Sequence, residues 1–189
     1  MSTKHAILAA ISSKPQTGYQ LGKKIEGSIG FFWSATLQQI YRELGELQAA
    51  GWLTHKDVEQ AARPDKKVYR ITRAGTDELK KWISLDADLP PAKDALLIKI
   101  FAGHLVPTET LIKVLERHYE KRTLRLKRYQ EIEKYFKSVE DLSDEASFQY
   151  LTVRRGITFE RAWLAWGNET KDFLKSRGCK DPKQRKPAP

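Results

Sequence analysis

The 189-residue sequence predicts a mainly α-helical protein with two domains, the first of which also contains a small two-stranded β-sheet. Three observations support this prediction. Apolar residues recur at the three- and four-residue spacing of helices along most of the chain. Two segments with alternating character, Trp52–Glu59 and Lys67–Thr72, surround one polar turn. After Pro90-Pro91, two helical patterns of about 33 residues each follow, which predicts a second domain built from long helices.

Two helices open the first domain. The first carries apolar residues at helical spacing and ends at Lys14-Pro15, because proline cannot continue a helix. Thr17-Gly18-Tyr19-Gln20 has the pattern of a capping box, in which a hydroxyl and an amide three residues later satisfy free backbone N–H groups. This pattern predicts the start of a second helix that extends to about Ser28.

A third helix is predicted from Ser34, its N-cap, to about Ala50, and Gly51 supplies the left-handed residue that ends it. Its predicted buried stripe consists of Leu37, Ile40, Tyr41, Leu44 and Leu47. The two strands follow, and then a fourth helix over about residues 74–83. Three helices, a hairpin and a closing helix in this order are typical of a winged helix, a variant of the helix-turn-helix.

The charge of the chain is concentrated at its two ends. The net charge is +10, which favours a polyanionic partner, either nucleic acid or an anionic membrane surface. Residues 1–84 contain 13 Lys or Arg and 8 Asp or Glu, residues 175–189 contain six and one, and residues 85–174 are neutral overall. A localised surplus of this kind predicts a nucleic-acid footprint in the first domain.

The third helix is the predicted reader of DNA bases. Fifteen consecutive residues, Gly27 to Tyr41, carry no formal charge, whereas an acid there would meet phosphates. Glutamine can pair with adenine and arginine with guanine through two hydrogen bonds each. The predicted contacts from this helix are Ser34, Ala35, Thr36, Gln38, Gln39, Tyr41 and Arg42. The alternative interpretation is a half-buried helix start whose glutamines face water.

Two further groups of residues are predicted to contact the phosphate backbone. The hairpin tip forms a basic wing with Arg63, Lys66 and Lys67, which suits a phosphate ridge or a minor groove. The start of the second helix contributes Tyr19, Lys23 and Lys24. A winged-helix protein-interaction module without DNA binding is the alternative function, and acids on these faces would have favoured it.

The second domain is predicted to form a dimer. Each long helix would extend roughly 50 Å, too far to be covered by the first domain, and a stripe along the last helix needs a partner. That stripe contains Phe148, Leu151, Phe159, Ala162, Trp166 and Phe173. The predicted interface residues are Leu126, Tyr129, Phe136, Phe159, Trp163 and Trp166. Two alternatives are a monomeric hairpin that folds back on the winged helix and a small-molecule pocket lined by the two tryptophans.

Several classes of protein are disfavoured. Four dispersed histidines and one cysteine, Cys179, provide no metal site and no internal disulfide, and no phosphate loop or nucleophile motif is present, so we expect neither an enzyme nor a cofactor. The absence of a signal peptide or a long apolar span predicts a soluble cytoplasmic protein with no membrane partner. The predicted organisation is a winged helix over 1–85, a linker over 86–91, a helical dimerisation domain over 92–178 and a disordered basic tail over 179–189.

The sequence resembles the PadR family of bacterial transcription regulators, in its AphA-like branch. The motifs that carry the resemblance are residues 17–19, 29–33, 38–44, 63–69, 71–72, 74–75, 129–133, 151–155 and 162–163. The resemblance implies a dimeric winged-helix DNA-binding protein with a reading helix at Ser34–Ala50 and a wing at Glu59–Val68. Two-fold symmetry of the dimer further predicts a near-palindromic operator. The resemblance also implies an antiparallel, coiled-coil-like dimerisation domain, a small aromatic ligand as a candidate effector, and a second transcription regulator as a candidate partner.

Overall fold

The computed structural model describes residues 3–27, 29–59, 66–87 and 93–177, and it divides into two compact units, residues 1–89 and 90–189. The first unit contains four α-helices and three strands among its described residues. They are α1 (Thr3–Ile11), β1 (Gln16–Thr17), α2 (Gly18–Gly27), α3 (Leu37–Ala49), β2 (Leu53–Val58), β3 (Lys66–Ile71) and α4 (Arg73–Ile83), with a 3-10 turn at Ile29–Phe31. This order confirms the predicted winged helix, and helices dominate the second unit as well.

The core of the first unit lies where α1, α2 and α3 meet. Each helix contributes aliphatic side chains that are at most 1% exposed: Ile7, Leu8, Ile11, Leu21, Ile25, Ile40, Leu44 and Leu47. Burying one such side chain contributes about 1.5–3 kcal/mol relative to leaving it in water. The core therefore holds the buried face of α3 in place and leaves the other face of this helix exposed.

The sheet has three antiparallel strands in the order β1-β3-β2, one more than predicted. The pairing of β2 with β3 runs from Leu53 opposite Ile71 to Val58 opposite Lys66, and it forms the wing. The additional strand β1 contains two residues and pairs Gln16 with Tyr69. A two-residue strand has no periodicity, so the sequence pattern could not reveal it.

The start of α3 differs from the prediction. The N-cap is Thr36, not Ser34: the Thr36 hydroxyl accepts from the Gln39 backbone N–H (3.2 Å), and the Gln39 side-chain oxygen accepts from the Thr36 backbone N–H (2.9 Å). Ser34 could not form this reciprocal pair, because the residue three positions later is Leu37. The end agrees with the prediction, since Gly51 has φ of 73°.

One junction holds the base of the wing against α4. The hydroxyl of Thr72 caps α4 by accepting from the Gly75 backbone N–H, and it donates to the Gly51 carbonyl at 2.8 Å. A Cβ atom at Gly75 would lie 2.2 Å from the Trp52 carbonyl oxygen, so only glycine permits this approach. The wing therefore begins from a fixed position.

The second unit consists of α5 (Ala95–Phe101), a 3-10 turn at Gly103–Leu105, α6 (Thr108–Ser138) and α7 (Asp144–Ser176). The helices α6 and α7 pack antiparallel, and the ring of Tyr129 occupies the space that a side chain at Gly156 would need. The tail at 179–189, with Cys179, lies outside the described residues. Within the described part of the chain, no helix is both long and apolar enough to cross a membrane.

Candidate nucleic-acid interface

The exposed face of α3 is uncharged over its first turns. Leu37 and Tyr41 were predicted to be buried, but each is 48% exposed. They lie beside Gly22 and Gly18 of α2, whose missing side chains leave room for Leu37 and Tyr41 without covering their outer surfaces. Gln38 is also exposed. This face therefore combines two apolar side chains with one amide.

The other predicted readers of α3 have partners within the chain. The Gln39 side-chain oxygen caps Thr36, which occupies one of its two acceptor positions and leaves the NH₂ group of Gln39 available for DNA. The Arg42 side chain is 66% exposed and lies 3.5 Å from a Glu43 carboxylate oxygen and 3.9 Å from a Glu46 oxygen. Exposed ion pairs contribute about 0–1 kcal/mol, so the guanidinium can leave these acids at little cost.

Three residues precede α3 instead of lying within it. Ser34 and Thr36 are exposed in the turn before the helix. Ala35 was predicted to lie opposite the buried stripe, but it packs against the core of the first unit. The later helix start explains the difference. Because α3 begins at Leu37, Ala35 precedes the helix and does not belong to either of its faces. Ser34 and Thr36 remain accessible beside the first turn.

The exposed face of α2 brings together Tyr19 and Lys23. Tyr19 is 59% exposed, and the Lys23 ammonium lies 4.8 Å from the centre of its ring. The hydrogen bond with Tyr19 raises the pKa of Lys23 above its usual value. An open cleft of about 510 Å³ lies between this pair and the start of α3, and Glu26 is one of the residues that line it.

Lys24 was predicted to contact phosphate, and the structure places it elsewhere. Its ammonium donates to the Ala10 carbonyl at the end of α1, at 2.7 Å, and the side chain is half-buried. The physical reason is the negative end of the α1 dipole, which attracts a cation. Lys24 thus stabilises the contact between α1 and α2.

The described part of the wing presents two of its three predicted cations. Lys66 and Lys67 are both exposed at the start of β3, opposite Val58 and Asp57 of β2. Successive strand residues point to opposite faces, so the two ammonium groups lie on different sides of the ribbon. Arg63 lies outside the described residues.

Two of the predicted dimer-interface residues are buried within a single chain. Tyr129 packs against Gly156, and Phe136 stacks on Tyr150 with ring centres 5.4 Å apart; both are less than 10% exposed. The prediction that they meet a second copy is wrong, because α7 of the same chain already covers them. Phe159 is 44% exposed.

The apolar stripe of α7 is uncovered in one chain. Its most exposed members are Phe148 at 70%, Leu151 at 61% and Phe173 at 55%. The other face of α7, with Val153 and Ile157, is buried. Leu126, Trp163 and Trp166 are half-buried. A helix with apolar residues on two faces needs two partners, and among the described residues of the second unit α6 covers one of these faces.

Two ionic clusters hold α6 against α7, and the sequence analysis missed both. Glu160 is 1% exposed, and its two carboxylate oxygens accept from Arg122 Nη1 at 3.1 and 3.3 Å. Glu133 accepts from Arg154 at 2.6 Å, and this hydrogen bond holds the pKa of Glu133 below its usual value. The sequence signal for both clusters is a glutamate at a helix position that faces the neighbouring helix.

No cluster of the described His, Cys, Asp and Glu residues has a geometry that could hold a metal ion. The exposed residues on α2, on α3 and on the wing are of the types that contact nucleic acids in proteins. The exposed amide of Gln38 and the apolar side chains of α3 face outward, and cations lie on α2 and on the wing.

Comparison with known proteins gives two matches to family models. The Transcriptional regulator PadR-like family matches residues 7–81, and Virulence activator alpha C-term matches residues 92–175. A probable transcriptional regulator of Mycobacterium tuberculosis, Rv1176c, is 33% identical over 188 residues, which cover 94% of this chain and 100% of the relative.

Solved structures agree with these matches. The Vibrio cholerae virulence activator AphA is 30% identical, with a TM-score of 0.76 over 94% of this chain and 100% of that chain. Bacillus subtilis PadR in complex with operator DNA has a TM-score of 0.80 at 24% identity, over 90% of this chain and 98% of that chain. The same protein in complex with p-coumaric acid has a TM-score of 0.76 at 22% identity, over 91% and 98%. The chain belongs to the PadR-like family of transcriptional regulators.

Proposed function

We propose that this regulator binds a near-palindromic operator as a homodimer and reads each half-site with α3. The observation that carries the proposal is the uncharged, exposed first turn of α3, together with the exposed ammonium groups of Lys23 on α2 and of Lys66 and Lys67 on the wing. Phosphate contacts position a protein on the duplex, and base contacts specify the sequence. The Bacillus subtilis relative was crystallised with operator DNA, which agrees with this assignment.

The dimensions of α3 suit a major groove. The helix contains 13 residues, which is about 20 Å of length, and the groove is about 12 Å wide and admits one helix. Gln38 and Arg42, one turn apart, are the polar readers of this face. The wing would then reach the adjacent phosphates through Lys66 and Lys67.

We propose that the uncovered stripe of α7 joins two copies. Phe148, Leu151 and Phe159 are between 44% and 70% exposed in one chain, and a second copy offers the same surface to them. Two-fold symmetry then predicts half-sites spaced by whole turns of about 10 base pairs. A regulator that binds chromosomal DNA in this way acts in the bacterial cytoplasm.

The half-buried tryptophans of α7 are the proposed contact for a small aromatic effector. The rings of Trp163 and Trp166 meet edge to face at 5.6 Å, and His118 stacks on Trp163 at 6.2 Å. Aromatic walls of this kind suit a flat ligand, and Bacillus subtilis PadR was crystallised with p-coumaric acid. A second transcription regulator as partner remains a prediction of the family resemblance.

The test is fluorescence anisotropy with duplex fragments from upstream of the protein's own gene. We expect one fragment to bind far more tightly than a scrambled duplex of the same length. Indifference to all fragments would instead favour the protein-interaction module. For the dimer, Phe148→Glu with Leu151→Glu should produce monomers in sedimentation, whereas the control Arg161→Glu, away from the stripe, should remain dimeric.

A further inference from the structure

The start of α3 presents an apolar ridge, which we define as the side chains of Leu37 and Tyr41. Leu37 is the first residue of the helix, and Tyr41 follows one turn later. Nearly half of each side chain is exposed, although a leucine at a helix start gains nothing from contact with water. The first turn of a reading helix is the part that meets base edges.

Two glycines of α2 leave the space in which the inner side of the ridge packs. A Cβ atom at Gly22 would lie 2.8 Å from Leu37 Cδ1, and one at Gly18 would lie 2.6 Å from the Tyr41 ring. The glycines are one helical turn apart, as are the two ridge residues. The inner side of the ridge therefore packs on the α2 backbone, which fixes its orientation, and the outer side remains bare.

Polar readout at this end of α3 is limited. Gln38 and Gln39 are both exposed, but the Gln39 oxygen already accepts from the Thr36 cap, so Gln38 is the amide of the first turn that has no capping role. The major groove offers one apolar group, the C5-methyl of thymine. The exposed part of the Leu37 side chain matches that group in character. No residue from Gly27 to Tyr41 carries a formal charge, and the charged groups that line the cleft beside Leu37 are Lys23 and Glu26 of α2.

We propose that Leu37 contacts the C5-methyl of one thymine in each half-site and is a specificity-determining residue of the operator. The inference rests on the proposed function, because it requires that α3 enter the major groove. Burial of one methyl group contributes about 0.8 kcal/mol, which corresponds to a roughly four-fold change in affinity for each half-site.

The test replaces single thymines of a selected operator by deoxyuridine, which removes the methyl group and nothing else. At one position in each half-site, we expect uracil to weaken wild-type binding about four-fold. The Leu37→Ala variant should bind the thymine and uracil duplexes equally at that position. The control Gln38→Ala should retain the four-fold ratio, and Leu37→Met, which keeps the apolar volume, should retain most of it.

The outcomes separate the two proposals. Specific binding that is indifferent to uracil at every position would overturn the Leu37 contact and leave the proposed function intact. The Leu37 contact is also overturned if the alanine variant keeps the thymine preference. If the wild-type protein binds no duplex at all, the proposed function fails and the thymine contact fails with it.

Discussion

The wing cations offer a quantitative test of how the protein binds DNA. Lys66 and Lys67 are exposed at the start of β3, and their side chains point to opposite sides of the ribbon. They would therefore contact different phosphates. The perturbation is the double substitution Lys66→Ala with Lys67→Ala, which removes two cations from each chain and leaves the buried face of the sheet unchanged.

The magnitude follows from the number of contacts. A dimer with both wings engaged makes four contacts through these lysines, and each contact changes the log–log slope of affinity against salt by about 0.9. The slope should fall by about 3.6. Between 50 and 200 mM salt, the wild-type protein should therefore lose about 150-fold more affinity than the variant.

The assay is anisotropy of a labelled operator over that salt range. The control is Lys80→Ala with Lys81→Ala, which removes the same charge from exposed positions at the end of α4. The log–log slope of the control should differ from the wild-type slope by less than about 0.9, the change expected from one phosphate contact. Equal slopes for the wing variant and the wild type would remove the wing from the DNA interface.

Three other changes have expected outcomes. Arg42→Ala should weaken specific binding by about 1–3 kcal/mol and relax the preference at one base pair, and unchanged selectivity in a binding-site selection would refute its role. Arg122→Ala should destabilise the chain in urea by about 3 kcal/mol, because it removes the main partner of the buried Glu160; an unchanged midpoint would contradict this. The hydrogen bond from Arg154 lowers the folded-state pKa of Glu133, so its stabilisation is complete well above pH 4.5 and is lost as pH falls through the lowered value. Melting temperatures measured from pH 7 to pH 3 should fall less for Glu133→Gln than for the wild type, and parallel curves would count against the assignment.

Local chemistry made much of the first unit predictable. The capping box of Thr17 and Gln20 forms as predicted, and Gly51 ends α3 in the left-handed conformation that its position required. The error at the start of α3 arose from choosing Ser34, although Thr36 with Gln39 has the same capping pattern in the sequence. Both signals are local, so the observed start was within reach of sequence analysis.

The remaining differences depend on contacts between distant segments. The exposure of Leu37 is set by Gly22 on another helix, and the position of Lys24 is set by a carbonyl at the end of α1. Tyr129 and Phe136 were predicted to lie in the dimer interface, but helical spacing cannot distinguish a partner helix of the same chain from one of a second copy. Contacts of this kind can be identified only from the three-dimensional structure.

The mass of the protein on its operator tests the central claim most directly. Sedimentation equilibrium of the complex with a single near-palindromic duplex should give two chains per duplex, and two chains should also associate without DNA. One chain per duplex, or a monomer that binds no DNA, would contradict the symmetric pair of reading helices on which the proposed function depends.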